Sequence, residues 1–238
     1  MKKTKRIRSS HRRSARNVAG VILFVSLAFS VIYSAVRFAV APVDVPLGEP
    51  YMHIKSDYAL MFLQCLLGLF VLALPSIISH RWNLSIPNFI YIMYYAFLYC
   101  AVFLGEVLDF YYRIPHWDTI LHFFSGAMLG ALGFILVEWL NDDENIRVTL
   151  SPVFVALFAF CFALSCGAVW EIYEFTLDGL IGLNMQKYAL AGGEQLTGHL
   201  ALTDTMKDII VDALAAFIIS LIGYIRLKAA VQKTKQNA

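Results

Sequence analysis

The chain has 238 residues, of which 59% are hydrophobic and 15% are charged, and its formal net charge is +2. A soluble globular domain is roughly half apolar and about a quarter charged, while a disordered chain has few large apolar residues and a high net charge. The composition therefore argues against both classes and favours a bundle of membrane-spanning helices.

The first 17 residues are strongly basic, with eight Lys and Arg residues and no acid. Such a segment could bind nucleic acid, begin a cleaved signal peptide, or orient a membrane protein. The apolar run Val18–Val36 that follows is long for a signal peptide, and Pro42 should block cutting after Ala39-Val40-Ala41. We therefore predict a cytoplasmic tail at 1–17, an uncleaved first span and no nucleic-acid partner.

Five further apolar runs follow, and each can cross a hydrocarbon core of ~30 Å at ~1.5 Å per residue. They are Tyr58–Ser79, Ile86–Phe110, Thr119–Leu140, Thr149–Phe175 and Met206–Leu227. The sequence predicts an all-α, polytopic membrane helix bundle with six transmembrane helices over 18–227 and a second tail over 228–238. Pro75 should kink the second span. Gly126 and Gly130 form a GxxxG pattern, which either permits close helix contact or arises by chance.

The distribution of basic residues predicts the orientation of the bundle. Fourteen of the 19 Lys and Arg residues fall in segments that share a side with the N-terminus. Because cytoplasmic loops carry an excess of Lys and Arg, both termini are predicted to be cytoplasmic.

Acids and histidines gather at the predicted outer ends of spans three to six. They are Glu106, Asp109, His116, Asp118, His122, Glu171, Glu174, Asp178, Asp204, Asp208 and Asp212. The helical spacing gives each of these four spans a single polar stripe. Lipid exposure of a charge costs ~2.5–3.5 kcal/mol near the bilayer centre, so the stripes should face protein or water. We expect the four stripes to converge.

So many carboxylates cannot share a pocket unless several stay protonated or a divalent cation neutralises them. We favour one or two metal ions, Zn²⁺, Mn²⁺, Fe²⁺ or Mg²⁺, because histidine accompanies the carboxylates and no thiol is in register. The candidate ligands are His116, Asp118, His122, Glu171, Glu174, Asp208 and Asp212. The candidates for a general base are Asp212 and Glu171.

Plainer roles compete for several of these residues. Asp118 and Asp204 stand where a helix N-cap or a favourable helix-dipole contact would explain them. Asp109 and Asp178 suit a solvated interface, and His116 suits an exposed loop. The long outer loop from Gly179 to Thr203, which contains Gly192-Gly193, is either a lid over the polar pocket or a mobile connection.

Three motifs together resemble the YjdF-like family of bacterial inner-membrane proteins. They are Tyr112-Arg113-Ile114-Pro115-His116-Trp117-Asp118 with His122, Trp170-Glu171-Ile172-Tyr173-Glu174, and Thr203-Asp204-Thr205-Met206-Lys207-Asp208 with Asp212. The resemblance covers roughly residues 86 to 227. It implies a multi-pass protein of the bacterial plasma membrane and supplies no reaction.

Three functions remain open from the sequence. The acid and histidine cluster could serve a metal-dependent hydrolase or transferase on a lipid or lipid-linked substrate. It could instead serve cation-coupled or proton-coupled transport or sensing, for which Glu138 is the one acid that hints at a cytoplasmic path. Finally, it could be the polar core of a scaffold without catalysis.

Overall fold

The structure is a computed structural model that describes residues 2–43, 53–141, 150–190 and 194–236, with the side chains from residue 15 onward except that of residue 235. The helical elements are α1 (Lys2–Val40), α2 (Lys55–Leu72), α3 (Leu74–Arg81), α4 (Asn88–Leu98), a π-helix (Tyr99–Val107), α5 (Phe110–Arg113), α6 (Trp117–Asn141), α7 (Pro152–Ile181) and α8 (His199–Gln236). Within the described ranges, the only β-structure is one antiparallel bridge between Ala189 and Gln195.

Six helical stretches are long and apolar enough to cross a membrane. They are Ala15–Val40, Lys55–Arg81, Asn88–Val107, Trp117–Asn141, Pro152–Ile181 and His199–Thr234. Their outer faces leave large apolar side chains such as Phe29, Phe70 and Leu180 exposed, as lipid-facing helices do. The predicted all-α bundle with six spans is confirmed, and the cytoplasmic placement of the termini stays a prediction.

The first and last helices extend beyond the predicted spans. Helix α1 begins at Lys2, inside the basic segment, and α8 continues to Gln236, through most of the predicted C-terminal tail. Helix α7 begins at Pro152, where a proline suits the first turn, and the Phe154 N–H donates to Ser151 Oγ over 3.2 Å. The acidic loop residues Asp142, Asp143 and Glu144 lie outside the described residues.

The second span is interrupted close to Pro75, as predicted. Helix α2 ends at Leu72 and α3 begins at Leu74. Because proline has no N–H, the Val71 carbonyl loses its usual partner four residues later. The Tyr94 hydroxyl on α4 donates to that carbonyl over 2.8 Å. The neighbouring helix thus satisfies the group that the proline leaves free.

The third span changes its helical form before it ends. Helix α4 passes into a nine-residue π-helix, and Asp109 then adopts a left-handed backbone with φ of 61°. The indole N–H of Trp117 donates to the Cys100 carbonyl within the π-helix over 3.3 Å. This contact helps to satisfy the irregular backbone, which cannot bond to lipid.

The chain divides into two compact units. The first comprises Met1–Trp117, Gly179–Asn184 and Ala189–Leu196, and its buried core includes Leu23, Leu27 and Cys65. The second comprises Asp118–Asp178, Met185–Tyr188 and Thr197–Ala238.

Within the second unit, glycines on α6 let α8 approach closely. A Cβ added at Gly126 would lie 2.9 Å from the Asp212 carbonyl oxygen, and one at Gly130 would lie 3.3 Å from Ile219 Cγ2. Close contact through small residues is a common way for helices to associate in membranes. The structural reading of the GxxxG pattern is therefore confirmed.

Candidate metal centre

The second unit buries one histidine among acids from three helices. His122 and Asp118 lie one turn apart on α6, Glu171 lies on α7, and Asp208 and Asp212 lie one turn apart on α8. The residues His122, Glu171, Asp208 and Asp212 are 7%, 4%, 2% and 1% exposed. Buried ionisable groups in a spanning bundle are expensive, so they mark a functional site by default.

The two ring nitrogens of His122 face different acids. Nδ1 lies 3.2 Å from Asp212 Oδ2. Nε2 lies 3.8 Å from Asp118 Oδ1 and also 3.8 Å from Glu171 Oε1. Nδ1 is therefore at hydrogen-bond distance from Asp212, while Nε2 faces the carboxylates of Asp118 and Glu171 at a longer distance.

Asp118, His122 and Asp208 could together hold a metal ion. Each offers one ligand atom, and these three atoms all lie within 4.8 Å of one another. Ligands of a tetrahedral ion sit ~2.1 Å from it and hence ~3.4 Å apart. Closing the difference requires movements of no more than ~1.4 Å, which small side-chain rotations provide.

Two of the acids have buried oxygens without a hydrogen-bond partner among the described residues. In the part of the chain that the structure describes, both carboxylate oxygens of Glu171 and the Oδ1 atom of Asp208 make no hydrogen bond of regular geometry, although the Thr205 side chain lies beside Glu171. About 90% or more of buried polar groups in proteins are hydrogen-bonded. These carboxylate oxygens lie beside the three residues that could hold a metal ion.

The other predicted residues of spans five and six lie around this cluster or serve the loop beyond it. Asp204 is half-buried one turn before Asp208 on α8. Glu174 is half-buried and accepts a hydrogen bond from the Trp170 indole over 2.8 Å. Asp178 is buried and accepts the backbone N–H groups of Met185 and Gln186 over 2.8 and 2.9 Å.

His116 is exposed in the turn before α6, with φ of 61°. It is not one of the three residues whose ligand atoms meet. Its assignment as a ligand therefore stays a prediction, and the exposed turn matches the plainer role considered for it.

The two acids of span three have partners within the first unit. Glu106 accepts a hydrogen bond from the Gln64 side chain over 3.2 Å. Asp109 pairs with His53 Nε2 over 2.9 Å and with the Arg113 guanidinium over 3.1 Å. The structure thus assembles the stripes of spans four, five and six and gives those of span three different neighbours.

His53 has an altered protonation equilibrium. The hydrogen bonds to Asp109 and then to Asp57 raise the pKa of the His53 imidazole to about 10. Asp57 also accepts the Ile54 N–H over 2.8 Å at the start of α2. His53 escaped the sequence reading, although its spacing of four from Asp57 at a helix start is a recognisable signal.

Residues Met185–Tyr188, between the last two spans, belong to the second unit and bond to its helices. The Gln186 side-chain amide donates to Thr205 Oγ1 on α8 over 2.7 Å, in addition to the bonds that Asp178 accepts. The described helices leave residues 182–198 between them, which is shorter than the predicted loop. Gly192-Gly193 lies outside the described residues, and the lid role stays a prediction.

Sequence reasoning missed two residues that support the cluster. The Ser125 hydroxyl lies 3.4 Å from Asp212 Oδ1 and 2.9 Å from the His122 carbonyl. Gly167 on α7 faces the Asp212 carboxylate and leaves room for it. Ser125 stands three residues after His122, which is a usable signal. Nothing in the apolar sequence around Gly167 indicates that this glycine contacts an acidic side chain.

These features define a polytopic α-helical membrane protein with a buried acid and histidine cluster. The family described as "Predicted membrane protein (DUF2238)" matches residues 49–229, and the chain belongs to it. An uncharacterized protein of Thermotoga maritima is 28% identical over 148 residues, which are 62% of this chain and 66% of the relative's length. No solved structure matches the chain. The family match agrees with the membrane-protein family that the three motifs resemble.

Proposed function

We propose that the second unit binds a divalent cation through Asp118, His122 and Asp208, and that it acts as a metal-dependent hydrolase or transferase on a lipid or lipid-linked substrate. The observation that carries the proposal is the meeting of three ligand atoms within 4.8 Å beside the orphaned carboxylate of Glu171. A buried acid without a partner is costly to keep unless it binds or reacts.

The donor set favours certain cations. One imidazole with two carboxylates suits Zn²⁺, Mn²⁺ or Fe²⁺, while Mg²⁺ prefers an all-oxygen shell that includes several waters. Glu171 offers two further oxygens, one of them 3.8 Å from His122 Nε2.

The chemistry follows from these placements. A divalent cation in this position would supply Lewis-acid activation of an ester or phosphoester. We assign to Glu171 the role of general base, in which its carboxylate would accept the proton of the attacking water or hydroxyl group. Asp118 is half-buried at the start of α6, and we propose that a polar headgroup enters from this end of the helix.

A groove between α7 and α8 supports a lipid substrate. It has a volume of about 370 Å³, and its walls are almost wholly apolar. Phe160, Phe217 and Tyr224 are among its lining residues. Phe217 follows Asp212 by five residues, or ~7.5 Å of helix. A lipid whose headgroup reaches the cluster could lay a hydrocarbon chain along the same two helices.

The proposal is tested by turnover of lipid phosphoesters with purified protein in nanodiscs, after chelation and return of Zn²⁺ or Mn²⁺. We expect metal-dependent product release that falls at least ~100-fold in Asp208→Asn and in Glu171→Gln. Glu138→Gln is the matched control, because Glu138 is an exposed acid near the far end of α6. Equal turnover in all four proteins would refute the proposal.

The same variants separate the alternatives. A transport or sensing role predicts cation or proton flux in proteoliposomes that is lost in Asp208→Asn, with no product formed from any lipid. Glu138, the acid considered for a cytoplasmic path, is exposed rather than part of a buried path, so the structure does not add support to transport. A scaffold predicts lower stability of the variants and neither activity.

A further inference from the structure

Asp212 is the most buried acid of the cluster, and both of its carboxylate oxygens have neighbours. It is 1% exposed, in the middle of α8. Oδ2 lies 3.2 Å from His122 Nδ1, and Oδ1 lies 3.4 Å from the Ser125 hydroxyl. Glu171 differs in this respect, since among the described residues neither of its oxygens makes a hydrogen bond of regular geometry, although the Thr205 side chain lies beside it.

An imidazole that binds a metal through one nitrogen commonly donates its other N–H to a carboxylate. This contact fixes the tautomer and the ring orientation, and its loss typically costs ~10–100-fold in metal affinity. Here the carboxylate is on the Nδ1 side, and the free edge with Nε2 faces Asp118 and Glu171 at 3.8 Å.

We propose that Asp212 is a positioning residue and not a ligand: it accepts the Nδ1–H of His122 and so presents the Nε2 lone pair to the ion. This inference rests on the metal site proposed above. The sequence named both Asp212 and Glu171 as candidates for a general base. In the present proposal Asp212 acts through His122, and only Glu171 is the general base.

The backbone around Asp212 is shaped to seat this carboxylate. A Cβ added at Gly167 on α7 would overlap the Asp212 side chain, with Oδ2 as the nearest atom. Oδ2 is the same oxygen that faces His122 Nδ1. A methyl group at residue 167 should therefore displace the carboxylate from the imidazole without touching a proposed ligand.

The first experiment measures Co²⁺ affinity and the visible absorption of the bound ion in the intact protein and in Asp212→Asn and Asp212→Ala. We expect affinity to fall ~10–100-fold while the absorption intensity still reports the same coordination number. A ligand role would instead change the coordination number. Unchanged affinity in both variants, or a changed coordination number, would overturn the inference.

The second experiment uses glycine variants with no change of charge. Gly167→Ala should lower Co²⁺ affinity in the same direction as Asp212→Asn. Gly179→Ala is the control, because a Cβ at this exposed position on the same helix meets nothing within 4 Å. Equal affinity in the two glycine variants would contradict the seating of Asp212 by Gly167.

A readout without metal keeps the two proposals separate. Nitrogen NMR of labelled histidine in the metal-free protein, recorded at a pH where the imidazole is neutral, should show the single ring proton of His122 on Nδ1, and Asp212→Ala should abolish that preference. If the intact protein binds no metal, the proposed metal site is refuted. The NMR result still decides whether Asp212 fixes the tautomer of His122. If metal binds and the tautomer does not depend on Asp212, only the positioning role fails.

Discussion

At the scale of single residues, the molecule is distinguished by carboxylates that are buried without hydrogen-bond partners. Glu171 and Asp208 are 4% and 2% exposed, and three of their four oxygens have no hydrogen-bond partner among the described residues. Taking a charge out of water costs several kcal/mol unless a partner compensates it. If these acids are charged, a bound cation would lower the free energy of the cluster, which is what the proposed metal site requires.

This predicts the thermal behaviour of Glu171→Gln. In chelator, removal of an uncompensated carboxylate should leave the melting temperature equal to or above that of the unaltered protein. Added Zn²⁺ or Mn²⁺ should then raise the melting temperature less in the variant, because the three proposed ligands bind the cation more weakly without the negative charge of Glu171 beside them. Saturation at ~100 Kd corresponds to ~2.7 kcal/mol of stabilisation for the unaltered protein. A variant that melts lower than the unaltered protein in chelator would speak against this account of Glu171.

His53 predicts a second, pH-dependent effect in the first unit. Its pKa is raised from 6.5 to about 10 by Asp109 and Asp57, while Arg113 pairs with Asp109 and the Tyr58 ring lies 5.5 Å away. A raised pKa in the folded state means that the protonated pair stabilises the fold fully below pH 6.5 and is lost as the pH rises through 10.

The difference in melting temperature between the unaltered protein and His53→Asn should therefore be largest below pH 6.5 and should shrink toward pH 10. His199→Asn, at an exposed position, is the control. A difference that is constant across this pH range would rule out the proposed linkage.

The pairing within the cluster was only partly accessible from the sequence. Spacing of four predicts that Asp118 and His122 share a face of α6, and the 3.8 Å contact agrees. Which nitrogen meets which acid depends on the rotation of α6 against α8, since His122 and Asp212 are 90 residues apart. Helical period carries no information on that rotation. The packing of the Asp212 carboxylate against Gly167 could not be predicted for the same reason.

At the scale of helices, the interruption near Pro75 is stabilised by the next span. The Val71 carbonyl, which the proline leaves without its helical partner, accepts the Tyr94 hydroxyl over 2.8 Å. Leaving a partly buried carbonyl unsatisfied costs ~1–3 kcal/mol. The hydrogen bond from Tyr94 therefore offsets the energetic cost of the interruption near Pro75.

Tyr94→Phe should destabilise the protein by ~1 kcal/mol or more, as measured by denaturant unfolding in detergent micelles. Tyr99→Phe is the matched control, because the described contact of Tyr99 is with the Phe103 ring and involves no hydroxyl. Similar losses in both variants would show that the Tyr94 hydroxyl has no special role.

Most helices could be predicted because apolar length alone defines a span. The π-helix from Tyr99 to Val107 could not be, since an apolar segment carries no pattern that distinguishes a π-helix from an α-helix. The basic composition of residues 1–17 predicts the side of the membrane and carries no information on backbone form, so the start of α1 at Lys2 was not predicted. Hydropathy reports the medium around a segment and does not report the backbone form within it.

At the scale of the whole molecule, the number of spans was predictable, and the division into two units was not. Spans four to six share the second unit, and the acids of span three find partners in the first. Membrane helices associate through small residues and polar pairs rather than through hydrophobicity. Sequence composition identifies such residues and leaves their partners open.

The orientation of the bundle is a separate prediction. The excess of Lys and Arg near both ends predicts that both termini are cytoplasmic and that the cluster lies toward the outer side. A fluorescent protein fused after Ala238 should fluoresce in cells, and an alkaline phosphatase in the same position should be inactive. The opposite pair of results would invert the topology and the side from which a headgroup reaches Asp118.

The central claim is that Asp118, His122 and Asp208 hold a divalent cation, and the most direct measurement is the metal content of purified protein by mass spectrometry. We predict about one divalent ion per chain in the unaltered protein and in Glu138→Ala, and a near-complete loss in Asp118→Ala and Asp208→Ala. Unaltered protein that carries no stoichiometric metal, even after incubation with Zn²⁺, Mn²⁺ or Fe²⁺, would contradict the claim.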